Sequence, residues 1–402
     1  MLTPKRWAIL LVALVAAWLV VRTAAVAVTA GAAPAVALRL APGDPTALIA
    51  LSGYRDRSPR PPSAGAMARL TDAARSDPLY PEPYLAMAAQ VAARGDMARA
   101  IRLAEVARAR DPRDEATHLF LLDHYARAGR IEAAVAEMAP LVAMAGGGIA
   151  SPLASTLQTL AQTSRGEQVV ARALQTNPGW RSAFIGQATP VSQRLAYRTL
   201  LAAPASVGEV DRRRDQQSFL ERLIEQHDYQ RAYLAWINFL PRGQADQVDA
   251  IFDGDFKGLD GIPPFGWSLT SNEAASAERR SDASLPGRHA LDVNFFGSDG
   301  AEIAAETLFV QPGPYRFAMT AVADGGGQFA GELRWQLTCL PAGKVLPLVT
   351  IDRFDGRPGT IARNVDIPAS GCDAQRLTLT GAPGEVATLI HAQFTGLRLV
   401  PR

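Results

Sequence analysis

The feature that most constrains the fold of this chain is a helix-breaking proline that recurs along its first half. The breaks are made by Pro42, Pro78, Pro112 and Pro178. They stand 36, 34 and 66 residues apart, and the last interval is close to two repeats, with Gly146 near its midpoint. Proline cannot continue a helix, and self-similarity at such a period is typical of stacked helical hairpins. The sequence therefore predicts an α-helical repeat array.

Two segments of the array share one pattern of bulky and small residues. The first comprises Tyr84, Met87, Ala88, Val91, Ala100, Ala104, Ala107 and Pro112, and the second comprises His118, Leu121, Leu122, Tyr125, Ala134, Met138, Leu141 and Gly146. Both segments resemble the tetratricopeptide repeat (TPR) family, although Ala104 is small where a large residue is usual. The resemblance implies stacked helix pairs over residues 31–245, and a generic array of helical hairpins is the alternative.

TPR arrays bind proteins on a concave surface, so the resemblance implies a protein partner. Tyr84, His118 and Tyr125 fall at framework positions, and we expect them to be packed. The exposed residues predicted to face the partner are Glu115, Asp123 and Arg127. A spacer that holds the C-terminal domain away from a membrane is the competing interpretation.

The N-terminus has the composition of a membrane segment. Lys5 and Arg6 precede an apolar run that continues past Arg22 to residue 30. About 20 apolar residues span a bilayer, so residues 1–30 are predicted to form a single-pass signal anchor. The basic pair places the N-terminus in the cytoplasm. The bulk of the chain is then periplasmic and held at a bacterial inner membrane. A signal peptide cleaved near Ala25-Val26-Ala27 is the alternative.

Near residue 250 the alanine-rich helical pattern gives way to short alternating runs separated by Gly and Pro turns. This change predicts a β-sandwich over residues 250–402. The predicted strands are Ala290–Phe295, Tyr315–Ala321, Glu332–Cys339, Arg376–Thr380 and Thr395–Val400. The fold class is therefore multidomain, with a transmembrane helix, a TPR-like helical array and an all-β sandwich.

The opening of this C-terminal region carries a second resemblance. Phe252-Asp253-Gly254-Asp255-Phe256 is followed by Pro264-Phe265-Gly266-Trp267. The two stretches are similar to the start of jelly-roll carbohydrate-binding modules. The resemblance implies a glycan ligand, and a galactose-binding-like sandwich without a sugar ligand is the alternative.

Alternation along the predicted strands separates inward from outward side chains. Asp292 and Asn294 are predicted to point outward. The outward residues predicted to bind a ligand are Arg316, Arg334, Gln336, Arg376 and Arg398. If their strands share one sheet, the arginines form a basic surface for the carboxylate or sulfate groups of an acidic polysaccharide. Trp267 is a candidate for an exposed aromatic platform, with a place in the core as the alternative.

The only two cysteines, Cys339 and Cys372, lie in or beside predicted strands. We predict that they form a disulfide, with two buried free thiols as the alternative. The charged tract Asp211–Asp215 is predicted to be the solvated start of a helix.

Motifs of catalysis and cofactor binding are missing from the sequence. It has no Gly-x-Ser-x-Gly, no phosphate-binding glycine loop and no His-Glu-x-x-His, and its five histidines are scattered. Asp253, Asp255 and Asp260 imitate a calcium loop, but Lys257 occupies a ligand position and Pro264 stands where the closing Glu belongs. We therefore expect no enzyme activity, no metal and no cofactor. A net charge of +2 gives no indication of a nucleic-acid partner.

The predicted function is that of a membrane-anchored periplasmic scaffold. Its helices bind a protein and its sandwich binds a glycan or a protein, and it looks like a component of surface-polysaccharide assembly or export. A structural spacer without glycan contact is the first alternative. A glycan hydrolase or lyase built on the jelly roll is the second.

Overall fold

The structure is a computed structural model. It describes residues 4–54, 65–145, 147–176, 178–204, 206–281, 285, 287, 289–325, 330–352 and 356–402. Gly146, Asn177, Gly326, Gly327 and Asp355, which mark predicted breaks and turns, lie outside this range. The chain forms two compact units, one of residues 1–173 with 178–180 and the other of residues 174–177 with 181–402. Four helices of the predicted array thus belong to the same unit as the sandwich.

The first unit begins with helix α1 (Pro4–Ala32), followed by α2 (Pro34–Leu40) and α3 (Pro45–Leu51). Within α1, the stretch Leu11–Ala32 is long and apolar enough to cross a membrane, and a signal sequence has the same character. Its last turns pack against α2 and α3 through Val26 and Ala30. The Arg22 Nε, in the middle of this stretch, donates to the Leu40 carbonyl oxygen at 2.8 Å, so the guanidinium has a backbone partner.

Seven further helices complete this unit. They are α4 (Ala66–Ser76), α5 (Glu82–Ala93), α6 (Met97–Arg110), α7 (Glu115–Arg127), α8 (Ile131–Ala145), α9 (Gly147–Leu160) and α10 (Ser164–Leu174). Gly95 and Gly129, 34 residues apart, have φ values of +88° and +67° and end α5 and α7 in the conformation that glycine adopts most readily. Asp96 and Asp114 accept hydrogen bonds from backbone N–H groups at the starts of α6 and α7. The period in the sequence therefore repeats a local helix-stop signal, and aspartate side chains cap two of the helix starts.

A buried polar cluster joins three of these helices. The Nδ1 of His118 on α7 lies 2.6 Å from Glu137 Oε2 on α8, and its Nε2 lies 3.0 Å from the Pro112 carbonyl oxygen. Arg108 on α6 forms an ion pair with the same carboxylate. His118 and Tyr125 are buried and Tyr84 is half-buried, which agrees with their framework positions. The superhelix of the TPR family stays a prediction.

The second unit begins with helices α11 (Arg181–Gly186), α12 (Gln193–Leu201), α13 (Glu209–Glu225) and α14 (Tyr229–Phe239). Asp215, at the end of the charged tract, is not solvated. It is buried on α13 and accepts from the Arg181 Nε at 3.0 Å. The tract is therefore partly structural, because a buried carboxylate needs a cationic partner. Arg213 forms an ion pair with Asp260 in the loop that leads to the sandwich.

In the part of the chain that the structure describes, ten strands form the sandwich. They are β1 (Ser268–Leu269), β2 (Ala275–Arg280), β3 (Ala290–Phe295), β4 (Ala301–Leu308), β5 (Gly313–Gly325), β6 (Glu332–Pro341), β7 (Val345–Ile351), β8 (Gly359–Ile367), β9 (Cys372–Ala382) and β10 (Ile390–Pro401). Sheet A has the order β1-β4-β9-β6-β7 and sheet B the order β2-β3-β10-β5-β8. Every pairing between these strands is antiparallel.

The two sheets enclose one apolar core. Trp335 of sheet A lies 5.5 Å from Phe394 and 6.5 Å from Phe317, both of sheet B, measured between ring centroids. The predicted disulfide between Cys339 and Cys372 is confirmed, and it links the adjacent strands β6 and β9. The chain therefore combines helices in its N-terminal half with a two-sheet β-sandwich in its C-terminal part.

Candidate functional site

The predicted ligand-binding arginines are divided between the two sheets. Arg334 and Arg376 belong to sheet A, together with Gln336. Arg316 and Arg398 belong to β5 and β10 of sheet B. Outward side chains of the two sheets of a sandwich point away from each other, so the four arginines do not form one surface. The condition that their strands share a sheet is therefore not met. The sequence could not reveal this, because alternation along a strand does not show which sheet the strand joins.

Most of these arginines have an acidic neighbour. Arg334 forms an ion pair with Glu332, and Arg376 forms one with Glu302. The Nη2 of Arg398 lies 2.8 Å from Asp255 Oδ1. Their charge is thus partly neutralised within the chain, and a role for them in binding an acidic polysaccharide stays a prediction.

Trp267 lies in the core and is not an exposed platform. Its Nε1 donates to the Phe252 carbonyl oxygen at 2.9 Å, and its ring contacts Phe256 and Trp335 at centroid distances of 5.1 and 6.0 Å. Phe265 is buried as well. The Gly-Trp element therefore closes the sandwich core instead of offering an aromatic surface for a sugar.

The predicted partner residues of α7 are exposed. Glu115 lies in the first turn of the helix. Asp123 Oδ1 accepts from the Arg127 Nε at 2.9 Å, which is a surface pair one helical turn apart. Such a pair adds little stability and leaves both side chains accessible. Their role in binding a partner stays a prediction.

Sheet B presents a different polar cluster, which we call the Asp292 face. It consists of the outward side chains of Arg280, Asp292, Asn294, Asp324, His391 and Gln393. The inward residues that alternate with them, such as Val293 and Ala392, belong to the core. The Asp292 face therefore lies on the outer surface of the sandwich.

Asp292 is the centre of this cluster. Its Oδ2 accepts from the Arg280 Nη1 at 2.6 Å, and its Oδ1 lies 2.6 Å from the His391 Nε2 and 3.4 Å from the Gln393 Nε2. The other ring nitrogen of His391 lies 3.1 Å from Asp324 Oδ1. The side chain of Asp292 is 4% exposed and that of His391 is 34% exposed. The buried carboxylate thus fixes polar groups that solvent can still reach.

Leu285, which follows β2 in the chain, covers part of the face. Leu285 is buried against Ala290 of β3 and Val322 of β5. Both of these residues point outward from sheet B, on either side of β10. Leu285 therefore lies over the sheet, which explains why the outward side chains of Gln393 and Thr395 are buried. Leu285 therefore borders the face on one side.

The opposite end of the face carries an exposed aromatic ring. Phe296 follows Asn294 by two residues, so it points to the same side, and it is 40% exposed. Ile390 pairs with Phe295, and Leu389, the residue before Ile390 in the chain, is 50% exposed. A Cβ on Gly297 would lie 2.7 Å from the Thr388 carbonyl oxygen, which shows that the strands remain close there. The exposed apolar side chains of Phe296 and Leu389 therefore adjoin the polar cluster.

His391 and Gln393 were not predicted as site residues from the sequence. The only signal was the alternation in Ile390-His391-Ala392-Gln393-Phe394, which places both side chains outward once the strand is recognised. Their meeting with Asp292 depends on a strand pairing across 99 residues. Asp292 and Asn294 lie outward, as alternation predicts.

The loop that imitates a calcium site is held by protein groups. Asp253 accepts from the backbone N–H groups of Lys257 and Gly258 at 2.8 and 3.1 Å, and the Arg279 Nε lies 3.3 Å away. Burial raises the pKa of Asp253. Burial also acts to raise the pKa of Asp255, but hydrogen bonds from Lys257 and Arg398 bring it below its usual value. Among the residues that the structure describes, no cluster of three or more His, Cys, Asp or Glu is arranged to hold a metal ion.

Comparison with known proteins gives likenesses of the sandwich to carbohydrate-binding modules. No protein family and no curated protein matches the sequence. Similar solved structures include a family 61 carbohydrate-binding module in complex with β-1,4-galactotriose, 13% identical over 37% of this chain and 92% of that chain, with a TM-score of 0.25. The C-terminal family 22 carbohydrate-binding module of a Clostridium thermocellum xylanase is 15% identical over 37% of this chain and 91% of its own, with a TM-score of 0.27. A family 16 module is 14% identical over 38% and 99% of the two chains, with a TM-score of 0.27.

Proposed function

We propose that the sandwich binds a glycan on the Asp292 face. The observation that carries the proposal is the position of the Asp292 network, whose polar groups are fixed by one another at an accessible sheet surface. Carboxylate, amide, imidazole and guanidinium groups offer fixed donors and acceptors, and each sugar hydroxyl can both donate and accept. Because the network is already ordered, little side-chain entropy is lost when a ligand binds.

Phe296 supplies the apolar part of this site. One face of a sugar ring carries C–H groups, and an exposed aromatic ring beside hydrogen-bonding groups can bury that face. Neighbouring strands are about 4.8 Å apart, so Asn294 and His391 present their polar groups within reach of one ring. An exposed aromatic ring next to a polar cluster therefore favours a saccharide over a purely ionic ligand.

We propose binding without catalysis at this face. Two carboxylates of the face, those of Asp292 and Asp324, lie within hydrogen-bonding distance of His391. A general acid and base for glycoside cleavage must reach a bond held between them. Here the imidazole occupies that position.

The remaining parts of the chain support a place in the cell envelope. The apolar stretch Leu11–Ala32 would hold the chain at the inner membrane, and the disulfide suits an oxidising periplasm. The helices of the first unit would then bind a protein partner through the exposed side of α7. Alkaline phosphatase fused after residues 60 and 240 should be active in a bacterial host, and inactive fusions at both sites would overturn this topology.

Glycan binding can be tested with the full chain in a detergent that has no sugar headgroup. A glycan array identifies a ligand, and titration then compares wild type with His391→Ala and Phe296→Ala. Each variant should weaken binding roughly tenfold, since each loses a polar or apolar contact worth about 1–1.5 kcal/mol. The matched control is Arg334→Ala/Arg376→Ala on sheet A. If the control loses binding of an acidic polysaccharide and the Asp292-face variants do not, the ligand binds at the arginines instead.

A further inference from the structure

The last turns of α1 are part of the folded first unit. Val26 and Ala30 belong to a buried cluster that α2 and α3 complete with Ala37 and Ala47. Residues 11–21 of the same helix are all exposed. A single residue connects α1 to α2, because α1 ends at Ala32 and α2 begins at position 34. The apolar helix thus continues directly into a protein core.

Arg22 marks the point where α1 leaves the hydrocarbon of a membrane. It follows Arg6 by 16 residues, which is about 24 Å of helix. The hydrocarbon core is about 30 Å thick, and arginine side chains extend toward the headgroups, so the two arginines can reach opposite interfaces. Placing the whole stretch Leu11–Ala32 in lipid would instead bury a cation near the bilayer centre, which is costly.

Helix α2 runs back along α1 toward this interface. Helix α1 continues for ten residues beyond Arg22, which is about 15 Å. If α2 extended onward from there, its last residue would be far beyond the reach of the Arg22 side chain. The Arg22 Nε nevertheless donates to the carbonyl oxygen of Leu40, the last residue of α2, at 2.8 Å. The turn between α2 and α3 therefore lies near the level of Arg22.

A second turn lies beside the first. A Cβ on Gly43, in the turn between α2 and α3, would lie 3.1 Å from the Oγ of Ser76, the last residue of α4. The turn that joins α4 to α5 therefore adjoins the turn that joins α2 to α3. We call residues 39–44 and 77–80 together the Arg22 edge. Helix α5 packs against α4 and extends 12 residues from this edge to Ala93.

The Arg22 edge presents one large apolar side chain and one cation to solvent. Leu79 is 71% exposed, and Arg39 is exposed as well. The two acidic groups of the edge are engaged by their own turns. Asp44 accepts from the Ala47 N–H at 2.8 Å, and Asp77 accepts from the Leu79 N–H at 3.1 Å. A leucine beside a guanidinium suits a phospholipid surface, where acyl chains lie below phosphate groups.

We propose that the Arg22 edge lies on the periplasmic leaflet of the membrane, with Leu79 inserted among the headgroups and Arg39 bound to a lipid phosphate. This inference rests on the proposed role of α1 as a membrane anchor. It adds that the first unit stands on lipid and is not held away from it. Weak contacts suffice, because α1 keeps the edge at the bilayer and so gives it a high effective concentration there.

The test uses the full chain in nanodiscs of equal parts phosphatidylcholine and phosphatidylglycerol. The two native cysteines are bonded to each other, so one introduced cysteine takes a fluorophore selectively. Leu79→Cys places the fluorophore at the edge, and Ala93→Cys is the matched control, exposed at the opposite end of α5. Lipids with a nitroxide on the headgroup should quench position 79 severalfold more strongly than position 93.

A third position separates this proposal from the anchor on which it rests. Leu14→Cys labels the exposed apolar part of α1, and lipids with a nitroxide on the acyl chain should quench it. An unquenched position 14 would contradict the anchor itself. Strong quenching at position 14, with equally weak quenching at positions 79 and 93, would overturn the membrane contact of the edge and leave the anchor intact.

Charge reversal tests the phosphate contact. In the labelled Leu79→Cys protein, Arg39→Glu should lower the ratio of membrane-bound to free states of the edge about fivefold for each unit of charge, and quenching should fall accordingly. Arg94→Glu is the matched control, because Arg94 is exposed beside Ala93 at the far end of α5. Equal quenching in the two variants, with both folded by circular dichroism, would show that Arg39 does not contact lipid.

Discussion

Arg181 and Asp215 form a buried salt bridge, with the Arg181 Nε 3.0 Å from Asp215 Oδ2 and both side chains almost fully enclosed. The Arg181 Nη1 also donates to the Leu174 carbonyl oxygen at 3.3 Å. The pair joins α11 to α13 and so holds the helices that precede the sandwich. It also explains why one residue of an otherwise solvated charged tract is buried.

Removing one member of this pair should destabilise the second unit strongly. Arg181→Ala leaves an unpaired buried carboxylate, which typically costs about 3–5 kcal/mol. Urea unfolding followed by tryptophan fluorescence measures the loss. The double variant Arg181→Met/Asp215→Leu should recover most of it, because both charges are then absent. A double variant as unstable as the single one would show that packing, and not the unpaired charge, causes the loss.

The disulfide between Cys339 and Cys372 should contribute about 3–4 kcal/mol to the stability of the sandwich, since it closes a loop between residues 33 apart. Cys339→Ser/Cys372→Ser should unfold at correspondingly lower urea concentration. Dithiothreitol should shift the wild-type midpoint toward that of the variant and leave the variant unchanged. Equal midpoints for the oxidised and reduced wild type would contradict the expected contribution.

Sequence alone could place much of the secondary structure, for identifiable reasons. The strand Ala290–Phe295 was predicted with the bounds that the structure gives, because alternation is strict and the Asp299-Gly300 turn follows it. β4 was missed because Ala301–Leu308 is rich in alanine and glutamate, which favour helices. β7 was missed because it contains Pro347, which is tolerated since β7 is an edge strand of sheet A.

The candidate site was harder to predict than the strands. Alternation shows which side chains share a face of one strand, but the partner strands follow from the fold of the whole sandwich. For this reason the four arginines were predicted to form one surface, although they belong to two different sheets. His391 and Asp292 were not grouped, although they lie 2.6 Å apart. Glu306 is buried where the Phe252 backbone N–H donates to its Oε1. The sequence of β4 alone does not reveal this contact.

Glu306 should make stability depend on pH with an unusual sign. Its folded pKa is raised above the unfolded value, so the folded state binds the proton more tightly. Stability should therefore fall as the pH rises from the unfolded pKa toward the folded pKa, by up to about 1.4 kcal/mol per pH unit. Glu306→Gln removes this contribution. The stability of Glu306→Gln relative to wild type should therefore rise with pH above the unfolded pKa of glutamate, which is about 4.3. Urea unfolding of both proteins between pH 4 and pH 8 measures this difference. A constant difference would show that Glu306 is ionised in the folded protein.

Phe295 of sheet B reaches across the sandwich to Gly381 of sheet A. A Cβ on Gly381 would lie 2.6 Å from the Phe295 ring, which is closer than carbon atoms can approach. The Phe295 side chain is fully buried and lies on the last residue of β3, so it cannot swing out without opening the core. Gly381→Ala should therefore overpack this contact and destabilise the sandwich by about 1–3 kcal/mol.

The matched control for this overpacking is Gly300→Ala, where the nearest heavy atom would lie 3.7 Å away and no clash results. Phe295→Leu should itself be destabilising, since it removes part of a buried ring. When combined with Gly381→Ala, however, it should cost less than the sum of the two single changes, because the smaller side chain leaves room for the new methyl group. Thermal or urea unfolding of the four proteins measures this coupling. Strict additivity would show that the cost of Gly381→Ala does not arise from its contact with Phe295.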